Sequence, residues 1–108
     1  MTPREAEREL RRVPGVYGSF VVDALGYVLS RDVPRVVRSA DLQQVGVLLG
    51  RLWYRLDQAV ADEMVLELSA HRVFAVRLRR ASLCVLVGGA APLEPLRAAC
   101  QPLRSLFD

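Results

Sequence analysis

Lysine is missing from this sequence: all fifteen basic residues are arginine. A phosphate loop of the G-x-x-x-x-G-K-[ST] type is therefore excluded. The Gly88-Gly89-Ala90-Ala91 stretch reads as a strand-to-helix turn instead. Histidine occurs once, at His71, so no serine or cysteine has an obvious histidine and carboxylate behind it. His71 falls between two predicted strands, where a solvated turn residue is the plainer reading. The two cysteines, Cys84 and Cys100, stand in neither a C-x-x-C nor a metal-ligand spacing. Both fall on apolar stripes, where cysteine behaves as a small buried hydrophobe. No cluster of His, Cys, Asp and Glu suggests a metal site. Aromatic residues make up only 6% of the chain, too few for the stacking platform of a nucleic-acid binder. No run approaches the roughly 18 apolar residues of a membrane span. The expectation is a protein with no catalytic residues, no cofactor, no metal and no membrane insertion.

What is present is globular in character. The chain has 108 residues, 52% hydrophobic and 25% charged, and reads as one domain over residues 1–108. The net charge of +3 leaves twelve acidic residues interspersed with the arginines. That is a mixed-sign surface, not a nucleic-acid stripe. The one basic cluster, Arg77, Arg79 and Arg80, sits around an expected turn. Arginine in place of lysine, with abundant Ala, Val and Leu, points to a GC-rich bacterial genome. Met1 leads into a charged segment, not the apolar core of a secretory signal, so a reducing, cytoplasmic setting is expected. A core this small leaves a thin stability margin, which association with a second surface would widen.

Periodicity orders the elements. Thr2-Pro3-Arg4-Glu5 has the form of a capping box with proline at the first helical position, predicting a helix to about Arg12. Pro14-Gly15 ends it. Val16 to Asp23 reads as a strand, Asp23-Ala24-Leu25-Gly26 as a tight turn, and Tyr27 to Arg31 as the returning strand. Asp23 is expected to form the turn and not to serve as an acid. Ser39 is a favourable cap for a long helix to about Ala61, with Asp41 in its first turn. Leu42, Val45, Leu49, Leu52 and Leu56 form its expected core stripe. Met64 to Ala70 alternates apolar and polar like an edge strand. Arg72 to Arg79 alternates as well, and Leu83 to Val87 is apolar throughout, like a central strand. Leu93, Leu96, Cys100, Leu103 and Phe107 return at helical spacing, with Pro102 expected to kink or split the last helix.

This order, α-β-β-α-β-β-β-α, together with Val21-Val22-Asp23, Gly26 and Val28-Leu29-Ser30 across the first hairpin, resembles the roadblock/dynein-light-chain family over nearly the whole chain. The resemblance rests on the order of elements and the Asp-x-x-Gly hairpin. It implies an α/β fold with a five-stranded antiparallel sheet between one long helix and two terminal helices. It also implies a homodimer paired through the third strands, with the long helices side by side. Members act as light chains, scaffold subunits or regulators of Ras-like GTPases, and similar bacterial members pair with a small GTPase of the Mgl class, which serves cell polarity and motility. Two departures are the short ends and Pro102.

Two groups of residues are candidate sites. Val47, Arg51, Tyr54 and Gln58 recur on the far side of the long helix, with a composition suited to partner binding. The competing reading is that single exposed apolar residues are ordinary. Gly46 and Gly50, with Trp53 beside them, suggest close approach by another backbone, either the partner helix of a dimer or the protein's own sheet. Met64, Leu66 and Leu68 are the expected dimer edge, since an open edge strand is an aggregation hazard. The functional expectation is a non-enzymatic, dimeric regulator or scaffold of a Ras-like GTPase. The alternative is an adaptor that binds another roadblock-type protein or a polarity factor without touching the GTPase. A small-ligand sensor would need a cavity, and the apolar stripes look filled.

Overall fold

The computed structural model describes residues 2–56, 62–68 and 71–107. Helix α1 spans Pro3–Leu10, with the Glu5 backbone N–H donating to Thr2 Oγ1 at 3.2 Å. It stops two residues before the expected Arg12. Strand β1 is Val16–Asp23, as the sequence suggested, and β2 is Val28–Asp32, one residue later at each end than expected. Asp23 builds the turn between them: its Oδ1 accepts the backbone N–H groups of Leu25 and Tyr27, each at 2.9 Å. Gly26 takes a φ of 92°, which a side chain would resist.

Helix α2 is Ser39–Arg55, with Leu56 as its C-terminal cap. The expected continuation to Ala61 lies beyond it, and residues 57–61 are outside the described residues. The cap differs too. Arg38 holds the N-cap position and its backbone N–H donates to Asp41 Oδ2 at 3.4 Å. Ser39 is the first residue of the helix, and its hydroxyl accepts from Arg31 Nη1 at 2.7 Å. A charge from the preceding strand has taken the oxygen that was expected to cap the helix.

Strand β3 is Glu63–Leu68, β4 is His71–Arg77 and β5 is Ala81–Gly88. His71 is therefore the first residue of β4 rather than part of a turn, because it pairs with Leu68 of β3 and with Gly88 of β5. The strand also ends at Arg77, short of Arg79. Helix α3, Glu94–Cys100, gives way to a single 3-10 turn, Gln101–Leu103, and then to α4, Arg104–Phe107. Pro102 splits the helix, as its missing N–H requires.

All five strands are antiparallel in the order β2-β1-β5-β4-β3. The half-polar β3 is an edge and the apolar β5 is the centre, in keeping with their patterns. One face of the sheet packs Val21, Phe74, Leu83 and Val85 against Ala6 and Leu10 of α1 and Leu96, Cys100 and Leu103 of the C-terminal helices. The other packs Phe20, Val22, Val73 and Cys84 against Leu42, Leu49 and Trp53 of α2. The sheet thus lies between α2 and the terminal helices. Arg97 closes the C-terminal layer onto the far edge: its Nε donates to Glu63 Oε1 at 2.8 Å and it also pairs with Glu94. Among the described residues, no helix is long and apolar enough to cross a membrane.

Candidate functional site: the outer face of the long helix

What faces outward on α2 is decided by what faces inward. Its buried residues are Leu42, Gly46, Leu49 and Trp53. The core stripe is therefore rotated from the expected one: Val45 and Leu52 are half-buried, and Leu56 is exposed. Two contacts hold this rotation. The Trp53 Nε1–H donates to Ser82 Oγ at 2.9 Å, so the indole is buried with its polar atom satisfied. Gly46 lies directly on β1, where an added Cβ would meet Val22 Cγ2 at 2.3 Å and the Asp23 carbonyl oxygen at 2.8 Å. Gly50 stands similarly over Ala24.

The two glycines therefore serve close approach to the protein's own sheet and hairpin. Gly46 and Trp53 were candidates for a seam between two long helices. Both are buried within the single chain, against its own sheet and hairpin. Met64 and Leu66 are half-buried on the α2 side of the edge strand. The backbone of Leu68 ends β3. Among the described residues, the backbone of α2 comes closest to β1 and β2.

Of the four residues expected on the outward stripe, two are exposed. Tyr54 is 84% exposed and Arg51 is exposed, while Val47 is half-buried because it leans on the hairpin near Gly26. Gln58 lies outside the described residues. Val47 and Arg51 line one shallow recess of about 490 Å³, together with Leu25, Gln43, Gln44 and Leu48. Tyr54 lines a neighbouring recess of about 250 Å³ with Ala24, Gly50, Trp53 and Arg77. The Arg77 guanidinium sits 5.9 Å from the Trp53 ring centroid.

Leu25 and Leu48 were not among the sequence candidates. Leu25 is 78% exposed at the tip of the hairpin. The only signal for it was an apolar residue inside a turn. Leu48 sits outside the core stripe and is exposed on the same face. Together Leu25, Val47, Leu48, Arg51 and Tyr54 make a mixed apolar and cationic surface, in which Arg51 and Tyr54 are of the residue types enriched at binding hot spots.

A third feature was missed. An apolar groove of about 430 Å³ runs between the N-terminal half of α2 and the start of β4, lined by Tyr17, Phe20, Val36, Leu42, His71 and Val73. The stripes are not completely filled, because Val36 stands out of the loop before α2 at 86% exposure instead of closing over the groove. The pair Val36-Val37 between Arg35 and Arg38 was the available signal.

The chemistry of reactive groups is subdued. Burial pushes the Cys84 thiol far up and the Cys100 thiol up to about 12, so neither is a thiolate at neutral pH. The exposed His71 ring packs against Tyr17, with centroids 5.3 Å apart. Among the described residues, no group of three or more His, Cys, Asp or Glu is placed to hold a metal ion.

No protein-family model matches the sequence, and no curated protein matches it. Solved structures do. The chain is similar to MglB of Myxococcus xanthus, with a TM-score of 0.81, 11% identity, and coverage of 95% of this chain and 82% of that one. It is similar to the gliding protein MglB of Thermus thermophilus, with a TM-score of 0.73, 16% identity, and coverage of 95% and 86%. A Roadblock/LC7 domain from Streptomyces avermitilis matches with a TM-score of 0.72 and 16% identity over 99% of this chain and 98% of that one.

Proposed function

Starting from a roadblock fold, we propose that this chain is a non-enzymatic, homodimeric regulator or scaffold of a Ras-like small GTPase. The observation that carries this is the exposed face of α2, where Arg51 and Leu48 share a recess with Leu25 of the hairpin and the exposed Tyr54 lines the neighbouring one. The likeness in fold to two MglB structures supports a partner of the Mgl class. Docking on a switch region would bias its conformation, and holding a switch in the competent arrangement speeds hydrolysis without chemistry from the regulator. Arg51 and Arg55 are both exposed on α2, and this reading needs neither as an arginine finger.

The alternative is an adaptor that binds another roadblock-type protein or a polarity factor. The half-buried Met64 and Leu66 at the open β3 edge favour self-association or pairing with a similar sheet in either case. Titration of the purified protein against an Mgl-class GTPase loaded with GTP or with GDP separates the two. The regulator reading expects saturable binding that differs between the nucleotide states. Equal absence of binding in both states, with retained self-association, would favour the adaptor.

A further inference from the structure

Glu7 is out of place by composition rules. It sits in the middle of α1 and is fully buried, between apolar Ala6 and Leu10 and the sheet. Buried carboxylates are ordinarily matched by a cation or by two or three donors. Glu7 has one: the Ser30 hydroxyl of β2 donates to its Oε2 at 2.7 Å. Its Oε1 is buried without a partner.

The surrounding groups do not make up the difference. Arg11, one helical turn along from Glu7, is committed to β2: it donates to Asp32 Oδ2 at 3.0 Å, Oδ1 at 3.2 Å and the Asp32 carbonyl at 3.3 Å. Arg4, also on α1, is exposed. From β2, Asp32 adds a second carboxylate near Glu7. From β1, Ser19 is paired in register with Asp32, but its buried hydroxyl also has no partner and does not donate to Glu7. The charged residues of α3, Glu94 and Arg97, are paired with each other, and Arg97 also with Glu63 at the opposite edge of the sheet.

We propose that Glu7 is a proton-operated latch between α1 and the edge strand β2, holding the helix docked when its carboxyl is protonated and releasing it when the carboxyl ionises. Burial pushes the Glu7 carboxyl up to about 7; the Ser30 hydrogen bond draws it down, Asp32 pushes it up and Arg4 draws it down. In an undocked helix the carboxyl regains its ordinary value of 4.5. A group whose value is raised in the closed state stabilises that state fully below its open-state value and loses the effect as pH rises through the closed-state value. The latch therefore loosens between pH 4.5 and about 7 and changes no further above that. Within that window the open-to-closed ratio rises about tenfold per pH unit. Opening uncovers Leu10, Ala6 and the α1 side of the β1–β2 hairpin.

Amide hydrogen exchange on the full chain, corrected for the intrinsic pH dependence of exchange, tests this with Glu7→Gln as the permanently neutral isostere. Wild type should lose protection in α1 and β2 relative to Glu7→Gln by about tenfold per pH unit between about pH 5 and 7. The amides of β4 and β5 should match in the two proteins. Ser30→Ala removes the donor that favours the ionised form, so the transition should move to higher pH than in wild type. Identical α1 and β2 exchange in wild type and Glu7→Gln at every pH would overturn the latch. Should Glu7→Gln not fold, the wild type alone decides: a carboxyl carbon-13 midpoint near neutrality together with loss of α1 and β2 protection over the same pH range supports the latch, and either a midpoint in the ordinary carboxylate range or unchanged α1 protection overturns it.

Discussion

Tyr54 and Leu49 are five residues apart on one helix and do opposite work. Leu49 is fully buried against the sheet, whereas Tyr54 projects into solvent beside the hairpin. Leu49→Ala should cost about 2–5 kcal/mol of stability. Tyr54→Ala should change stability by only about 0.5 kcal/mol. If Tyr54 anchors a partner, its truncation should cost about 2 kcal/mol in binding, roughly thirtyfold in affinity. Thermal melting and partner titration of both variants check this. Normal melting with undiminished affinity in Tyr54→Ala would remove Tyr54 from the binding face. Gly46 offers a second test. Alanine is the better helix former by about 1 kcal/mol, yet its Cβ would sit 2.8 Å from the Asp23 carbonyl, which is backbone and cannot swing aside. Overpacking of this kind costs about 1–3 kcal/mol, so the clash should win and Gly46→Ala should melt lower than wild type. Gly50→Ala, which meets chiefly the Ala24 methyl at 2.9 Å, should lose less.

At the scale of elements, the behaviour of β3 matters most. It is an edge strand with apolar Met64 and Leu66 on the α2 side of the sheet, and the backbone of α2 comes closest to β1 and β2, toward the opposite edge. A second copy paired along β3 would cover both residues. Leu66→Arg puts a charge where that cover would form. Sedimentation should show a wild-type dimer at micromolar concentration and a Leu66→Arg monomer that still melts cooperatively. A wild type that stays monomeric at high concentration would leave the β3 edge without this role. Element patterning was readable here: alternation marked β3 as half-covered, and the unbroken run in β5 marked it as central. Pro102 marked the break between α3 and α4 for an equally local reason, the absent N–H. Ends of elements were less legible. Ser39 has the chemistry of a cap, but the Arg31 guanidinium reaches its hydroxyl from the preceding strand, and local propensity holds no information about that.

For the molecule as a whole, the order of elements, the turn chemistry of Asp23 and Gly26, and the alternation of apolar residues were properties of the sequence itself. They act within a few residues along the chain, so periods of two and of 3.6 suffice to reveal them. The rotation of α2 was decided only by the tertiary structure. It depends on the indole of Trp53 finding Ser82 and on two glycines letting the helix approach β1 and its hairpin, contacts between residues far apart in sequence. The same holds for the rest of the candidate site. Leu25 joins the α2 face because the hairpin tip stands beside the helix, and the groove behind Val36 exists because a loop does not close over it. Glu7 shows the limit most plainly. By sequence it is one of several charged residues on a short helix, paired in spacing with Arg11. Folding directs Arg11 to Asp32 and leaves Glu7 hydrogen-bonded to Ser30 instead, because burial and partner choice are set by which strand lies beneath the helix.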